Sequence, residues 1–209
     1  MDALRGEVDD ASIEFAPLDL ASLESVRTFA SGLENRPIDL LINNAGVMAV
    51  PYSKTADGFE MQFGTNHLGH FQLAARLWPL LAAAGGARVV ALSSIGHRLP
   101  GLDLDDPHFE RRDYDKWLAY GQAKSANALF ALQLDKLGEA HGVRAFAVHP
   151  GGIATPLQRH LPNEEMVALG WMNEDGELSE QAAKMFKSVT QGASTTLWAA
   201  RVRALKDGG

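Results

Sequence analysis

Tyr120 and Lys124 stand four positions apart in the string YGQAK, within a stretch whose apolar spacing predicts a helix over 114–139. At i and i+4 the two side chains leave the same helix face. A lysine ammonium beside a phenol favours the phenolate and draws the tyrosine below its usual pKa of about 10. A phenol tuned in this way exchanges a proton with an alcohol or carbonyl oxygen. The same spacing occurs on ordinary solvated helix faces, so the pair needs companions before it means chemistry.

Companions stand where predicted strands end. Ser93-Ser94 closes ARVVALSS, either as a turn or N-cap or as a hydroxyl beside the phenol. Asn43-Asn44-Ala45-Gly46 closes IDLLINNAG. Its small side chains make either a plain turn into a helix or a surface that a flat or phosphorylated ligand can approach. Pro150-Gly151-Gly152-Ile153-Ala154-Thr155 offers a rigid turn, backbone amides and a hydroxyl, or simply a loop leaving its strand. Asp19-Leu20 closes SIEFAPLDL. Asn66, in FGTNHLGHF, falls inside a predicted helix, where asparagine is a mediocre former. It reads as a buried structural amide or as a functional one. His67, His70, His97, His108 and His149 lack metal-ligand spacing and read as surface or core histidines, so no metal is expected.

The elements that must position these residues alternate. Strands are predicted over 12–20, 38–46, 87–94 and 143–152. Helices are predicted over 20–33, 57–84, 114–139 and 179–204. Apolar strands separated by helices predict an α/β fold: a doubly wound parallel sheet with helices on both faces, as one domain over 1–209. In such sheets ligands sit outside the carboxyl ends of the strands, where the candidate residues collect. A net charge of −7 argues against nucleic acid as a partner. There is no cysteine, which excludes disulfides and thiolate metal sites and fits a cytoplasmic location. The acidic start MDALRGEVDD has no apolar core of a signal peptide. The most apolar run, LWPLLAAAGGARVVAL, is broken by Pro79, Gly85, Gly86 and Arg88, so no membrane span is expected.

In this order the strings LDLASLESVRTFA, LLINNAGVM, FGTNHLGHF, RVVALSS, YGQAKSAN and VHPGGIATPL resemble the short-chain dehydrogenase/reductase family over nearly the whole chain. The long segment between Ser94 and Tyr120, followed by WLAYGQAKSANALFALQL, is most similar to the branch with retinol-dehydrogenase-like enzymes. The resemblance implies a Rossmann-like sheet, a cofactor (NAD or NADP) and hydride exchange with a small alcohol or carbonyl substrate. It implies Tyr120 as proton donor or acceptor and Ser94 as hydrogen-bond partner of the substrate oxygen. Lys124 would bind the nicotinamide ribose and lower the Tyr120 pKa, and Asn66 would hold a water linking Lys124 to solvent. Asp19 and Leu20 would meet the adenine, and Asn43, Ala45 and Gly46 the adenosine ribose side. Pro150, Gly152, Ile153 and Thr155 would hold the carboxamide and phosphate end.

The family pattern places a strand, a Gly-rich turn, a helix and a second strand before the equivalent of SIEFAPLDL. Here MDALRGEVDDA precedes it, and no GxxxGxG string occurs. The expectation is therefore a truncated Rossmann-like sheet without its first two strands and its last. The strand at 38–43 would have an open apolar edge, and the choice between NAD and NADP would be unreadable. The helices at 57–84 and 114–139 would serve a homo-oligomer. Two alternatives compete: a catalytically dead remnant or partner-binding fragment of such an enzyme, and a sugar-nucleotide epimerase or dehydratase.

Overall fold

The computed structural model describes residues 12–33, 36–99 and 101–202. The expected acidic opening and the last positions of the 179–204 helix lie outside the described residues. Three strands, β1 (Leu40–Asn43), β2 (Arg88–Leu92) and β3 (Arg144–Val148), form a parallel sheet in the order β1-β2-β3. Ile42 pairs with Val90, and Val90 with Phe146. The helices are α1 (Leu23–Ser31), α2 (Met61–Phe63), α3 (Gly69–Ala83), α4 (Lys116–Gly138), α5 (Asn163–Ala168), α6 (Glu180–Met185) and α7 (Val189–Arg201). A π turn over Gly64–Leu68 joins α2 to α3. No helix among the described residues is long and apolar enough to cross a membrane.

Side chains alternate across a strand, so each strand serves two layers. Val89 and Ala145 face a core with Val26 of α1 and Leu73, Leu77 and Leu81 of α3, and Leu134 of α4 packs against it. Val90, Leu92 and Val148 face the other way, onto Ala199 of α7. Arg88 fixes α7 there by donating to the carbonyls of Ala199 and Val202, both at 2.8 Å, at the helix end where carbonyls lack partners. At the outer edge of β3, Arg144 forks onto Asp135 of α4 at 2.8 and 2.9 Å, and the Ala145 N–H donates to the same carboxylate.

Two expected elements differ. SIEFAPLDL (12–20) joins no ladder, and Phe15 is 77% exposed. A strand exists by pairing its backbone, and among the described residues the sheet consists of β1, β2 and β3 without this segment. Its end is held by Leu20, buried against α1 and α3, and Glu14 pairs with Arg36 at 2.7 Å. The expected helix over 179–204 is two helices. Phe186 turns to extended backbone (φ −80°, ψ 137°), and the Lys187 N–H donates to the Gly152 carbonyl at 2.8 Å. Ser188 then opens α7 through a reciprocal cap with Gln191. The open side of β1 is as expected, and its exposure extends to one face. Leu40 and Ile42 are 39% and 38% exposed, because α7 packs on β2 and β3.

Candidate active site

Tyr120 and Lys124 lie on the buried face of α4, next to the end of β2. Helix α4 starts at Asp115, whose carboxylate accepts from the backbone of Trp117 and Leu118. The turn after β2 crosses α4 very closely. A Cβ on Gly121 would lie 2.7 Å from the Gly96 carbonyl, and one on Gly96 would lie 3.2 Å from the Tyr120 ring. Two facing glycines thus bring the Ser94 hydroxyl close to the Tyr120 phenol. Ser94 also caps the 3-10 turn Ile95–Arg98, accepting from the Gly96 N–H at 3.2 Å.

The neighbouring serine has a separate task. Ser93 Oγ donates to the Lys124 carbonyl at 2.8 Å, pinning α4 to the sheet at the lysine. Lys124 Nζ donates to the Leu92 carbonyl at 2.9 Å and lies 5.5 Å from the centre of the Tyr120 ring. Burial lowers the Lys124 pKa to about 8. Burial raises that of Tyr120, and the hydrogen bond from Ser94 pulls against it. The expected downward pull of Lys124 on Tyr120 is therefore corrected. The ammonium is turned to a backbone carbonyl, and the loss of solvent dominates the phenol.

Asn66 sits in the π turn with both ends of its amide used. Nδ2 donates to the Val47 carbonyl at 2.9 Å, and Oδ1 accepts from the Val47 N–H at 2.8 Å. A Cβ on Gly46 would lie 2.8 Å from that Oδ1. The side chain thus braces the turn after β1. The Asn66 carbonyl meets His70 Nδ1 at 2.9 Å; a carbonyl only accepts, so Nδ1 carries the proton. Burial holds His70 neutral, with its pKa lowered to about 4.

The other expected positions spread along the carboxyl ends. Asn43 is buried at the end of β1, and its amide nitrogen and oxygen have no partner among the described residues. Ala45 is exposed and Gly46 half-buried in the turn beyond. The exposed Asp19 accepts from the Ala21 N–H at 2.9 Å, closing a local turn, while the Leu20 side chain points into the core. Pro150 accepts from Lys187 Nζ at 3.0 Å. Ile153 bridges to Lys187, and its side chain fills the space left by Gly192. Thr155 caps the 3-10 turn Pro156–His160.

Over Tyr120 stands an apolar wall of Met48, Trp117, Leu157, Leu161, Met166 and Trp171. Glu165 ties the 163–168 helix to α4, accepting from Trp117 Nε1 at 3.1 Å and pairing with Lys116. Gln62 holds the loop after β1 against the segment before α4: its Oε1 accepts from the Ala49 N–H at 2.8 Å, and its Nε2 donates to the Tyr114 hydroxyl at 2.9 Å. Sequence reasoning assigned no role to Ser93, Gln62, Trp117 or Asn127. For Asn127 there was a signal, since it stands three positions after Lys124 and so shares its helix face.

Residues 1–186 match the family model described as Enoyl-(Acyl carrier protein) reductase. The chain belongs to the short-chain dehydrogenase/reductase family. A probable oxidoreductase of Streptomyces lividans is 44% identical over 181 residues, which are 86% of this chain and 60% of that protein. Retinol dehydrogenase 12 of Mus musculus is 40% identical over 205 residues, 97% of this chain and 61% of that protein. The chain thus spans about 60% of the length of these curated relatives. A crystal structure of an uncharacterized protein from Mycobacterium paratuberculosis is 37% identical with a TM-score of 0.64, covering 99% of this chain and 78% of that one.

The local chemistry fits the nicotinamide dinucleotide of this dehydrogenase family at two points. Lys124 brings an ammonium to the end of β2, and the buried Asn43 amide has unused donors and acceptors at the end of β1. At Gly46, in the turn after β1, the space of a side chain is taken by the Asn66 amide that braces this turn.

Proposed function

We propose that the chain carries alcohol–carbonyl oxidoreductase chemistry with NAD or NADP. The observation that carries this reading is the half-buried Ser94 beside the buried Tyr120 and Lys124 at the carboxyl end of the sheet. When bound, the cofactor supplies or accepts the hydride. Tyr120, kept protonated by burial, gives its proton to a carbonyl oxygen during reduction and takes one back in the reverse direction. Ser94 hydrogen-bonds the same oxygen and steadies its developing charge. Lys124 has one N–H on Leu92, and its others would hold the nicotinamide ribose hydroxyls. Asn66 supports the ribose-side turn through Val47. Asp19, Leu20, Asn43, Ala45 and Gly46 serve the adenosine end; Pro150, Gly152, Ile153 and Thr155 serve the carboxamide and phosphate end.

The substrate class that suits the wall over Tyr120 is a medium-sized apolar alcohol, ketone or aldehyde. A cavity of about 250 Å³, lined by Met166, Trp171, Met172, Leu178 and Phe186, continues that wall and offers room for an apolar chain. The similarity to retinol dehydrogenase 12 supports the same class. A second reading, a partner-binding protein without turnover, is favoured by the apolar groove of about 540 Å³ between α3 and α4, lined by Phe71, Trp78, Leu129 and Phe130. A second copy of this chain is the occupant proposed for it.

Fluorescence titration with NADPH and NADH separates the readings. Saturable binding, lost in Lys124→Met, is expected for the oxidoreductase. No binding by a folded sample would leave the partner-binding reading.

A further inference from the structure

Lys124 is held from one side by a carbonyl that it shares. Leu92 O accepts from Lys124 Nζ at 2.9 Å and from Asn127 Nδ2 at 3.1 Å, so the two nitrogens lie within about 6 Å of each other. Asn127 is buried, and its amide orientation is fixed at the other end. His67 Nδ1 lies 3.1 Å from Asn127 Oδ1. An amide oxygen only accepts, so Nδ1 carries the proton and His67 is the donor. The oxygen is thereby assigned to His67 and the N–H to Leu92. The histidine is neutral at physiological pH, because burial lowers its pKa.

We propose that Asn127, oriented by His67, is a positioning residue for Lys124: it takes part of the Leu92 carbonyl and so sets how firmly that carbonyl holds the ammonium. This inference rests on the oxidoreductase reading, in which the remaining ammonium hydrogens serve the ribose. Two donors on one carbonyl oxygen compete for its electron density. With Asn127 in place, the ammonium is located without being fully engaged. Without it, Leu92 binds the ammonium more tightly and withholds it from the ribose. The ionisable groups facing Lys124 are Tyr120 from its own helix and His70 from α3, and neither is an anion at neutral pH. A carboxylate created at 127 would be the first anion there.

The test is the titration of Lys124 followed by NMR of ¹³Cε-lysine in the full chain. Its resonance is identified by its absence in Lys124→Met. The wild-type midpoint is expected at about 8. Asn127→Leu, which keeps volume but removes the donor, moves it upward by a few tenths of a unit. Asn127→Asp moves it upward by about one unit or more. His67→Gln, whose amide can still donate to Asn127 Oδ1, leaves it in place, and His67→Ala moves it in the Asn127→Leu direction. If Asn127→Leu does not fold, the Asp and His67 variants read the same coupling. Midpoints equal to wild type in the folded Asn127 variants would overturn the proposal. In parallel, NADPH and NADH titration of the wild type reports on the oxidoreductase reading. Absent binding with the midpoints shifted rejects that reading and keeps the coupling. Normal wild-type binding with unshifted midpoints rejects the coupling alone.

Discussion

In the proposed reaction Tyr120 is the proton donor, and burial raises its pKa against the opposing pull of Ser94. Since its pKa is raised, the protonated form dominates at neutral pH. Tyr120→Phe is expected to keep cofactor binding and to lower the rate of carbonyl reduction by about 10²–10⁴-fold. Normal turnover in steady-state kinetics would remove Tyr120 from the chemistry. Lys124 illustrates what such a site demands of the fold. Its pKa is about 8 against an ordinary 10.5, so between these values the unfolded chain binds more protons than the folded chain. Stability therefore rises with pH through this window. The full penalty for the buried ammonium is present below pH 8 and gone above about 10.5. Lys124→Met should be more stable than wild type at pH 7, by up to roughly 3 kcal/mol. Urea unfolding should show this difference shrinking as pH rises toward 10.

At the scale of elements, the site depends on how closely backbone meets backbone. The 3-10 turn after β2 reaches α4 only because residues 96 and 121 are both glycine. Alanine favours a helix over glycine by about 1 kcal/mol. At position 121 the new methyl would stand 2.7 Å from the Gly96 carbonyl. Gly121→Ala is thus expected to destabilise by about 1–3 kcal/mol despite the better helix former, and to separate Ser94 from Tyr120. A thermal melt at or above the wild-type midpoint would refute this crossing. The π turn works in the same way. Gly64 and Gly69 flank it, and a Cβ on either would lie 2.4 Å from Thr55 or from the Leu20 carbonyl. The local rewinding aims the Asn66 amide at Val47 and the carbonyl at His70.

Across the whole molecule, the layers are unequal. One face of the sheet is covered by α1, α3 and α4, and the other by α7 over β2 and β3. Leu40 and Ile42 of β1 remain exposed on that second face, next to a strand edge that has no partner among the described residues. Such a strand pairs readily with other chains. Ile42→Lys is therefore expected to lower light scattering on concentration or mild heating, with little change in the far-ultraviolet circular dichroism. Unchanged scattering would shift the liability to the groove between α3 and α4.

The α/β class, the gathering of the candidate residues at the carboxyl ends of the strands and the shared helix face of Tyr120 and Lys124 were legible in the sequence, because period and spacing are local properties of the chain. The buried strand β2 and the helix face of α4 read correctly for that reason. Pairing is not local: SIEFAPLDL has a strand's composition and no ladder, and Lys187 breaks a continuous helical pattern by bonding to Gly152. Nor are pKa values local. Lys124 was expected to act on Tyr120, yet tertiary burial turned the ammonium to Leu92, where Asn127 already donates. The sequence by itself determined which groups could react, since residue type fixes chemistry. The tertiary structure alone decided which of them share a carbonyl, a proton or a buried wall, since those depend on distances between residues far apart along the chain.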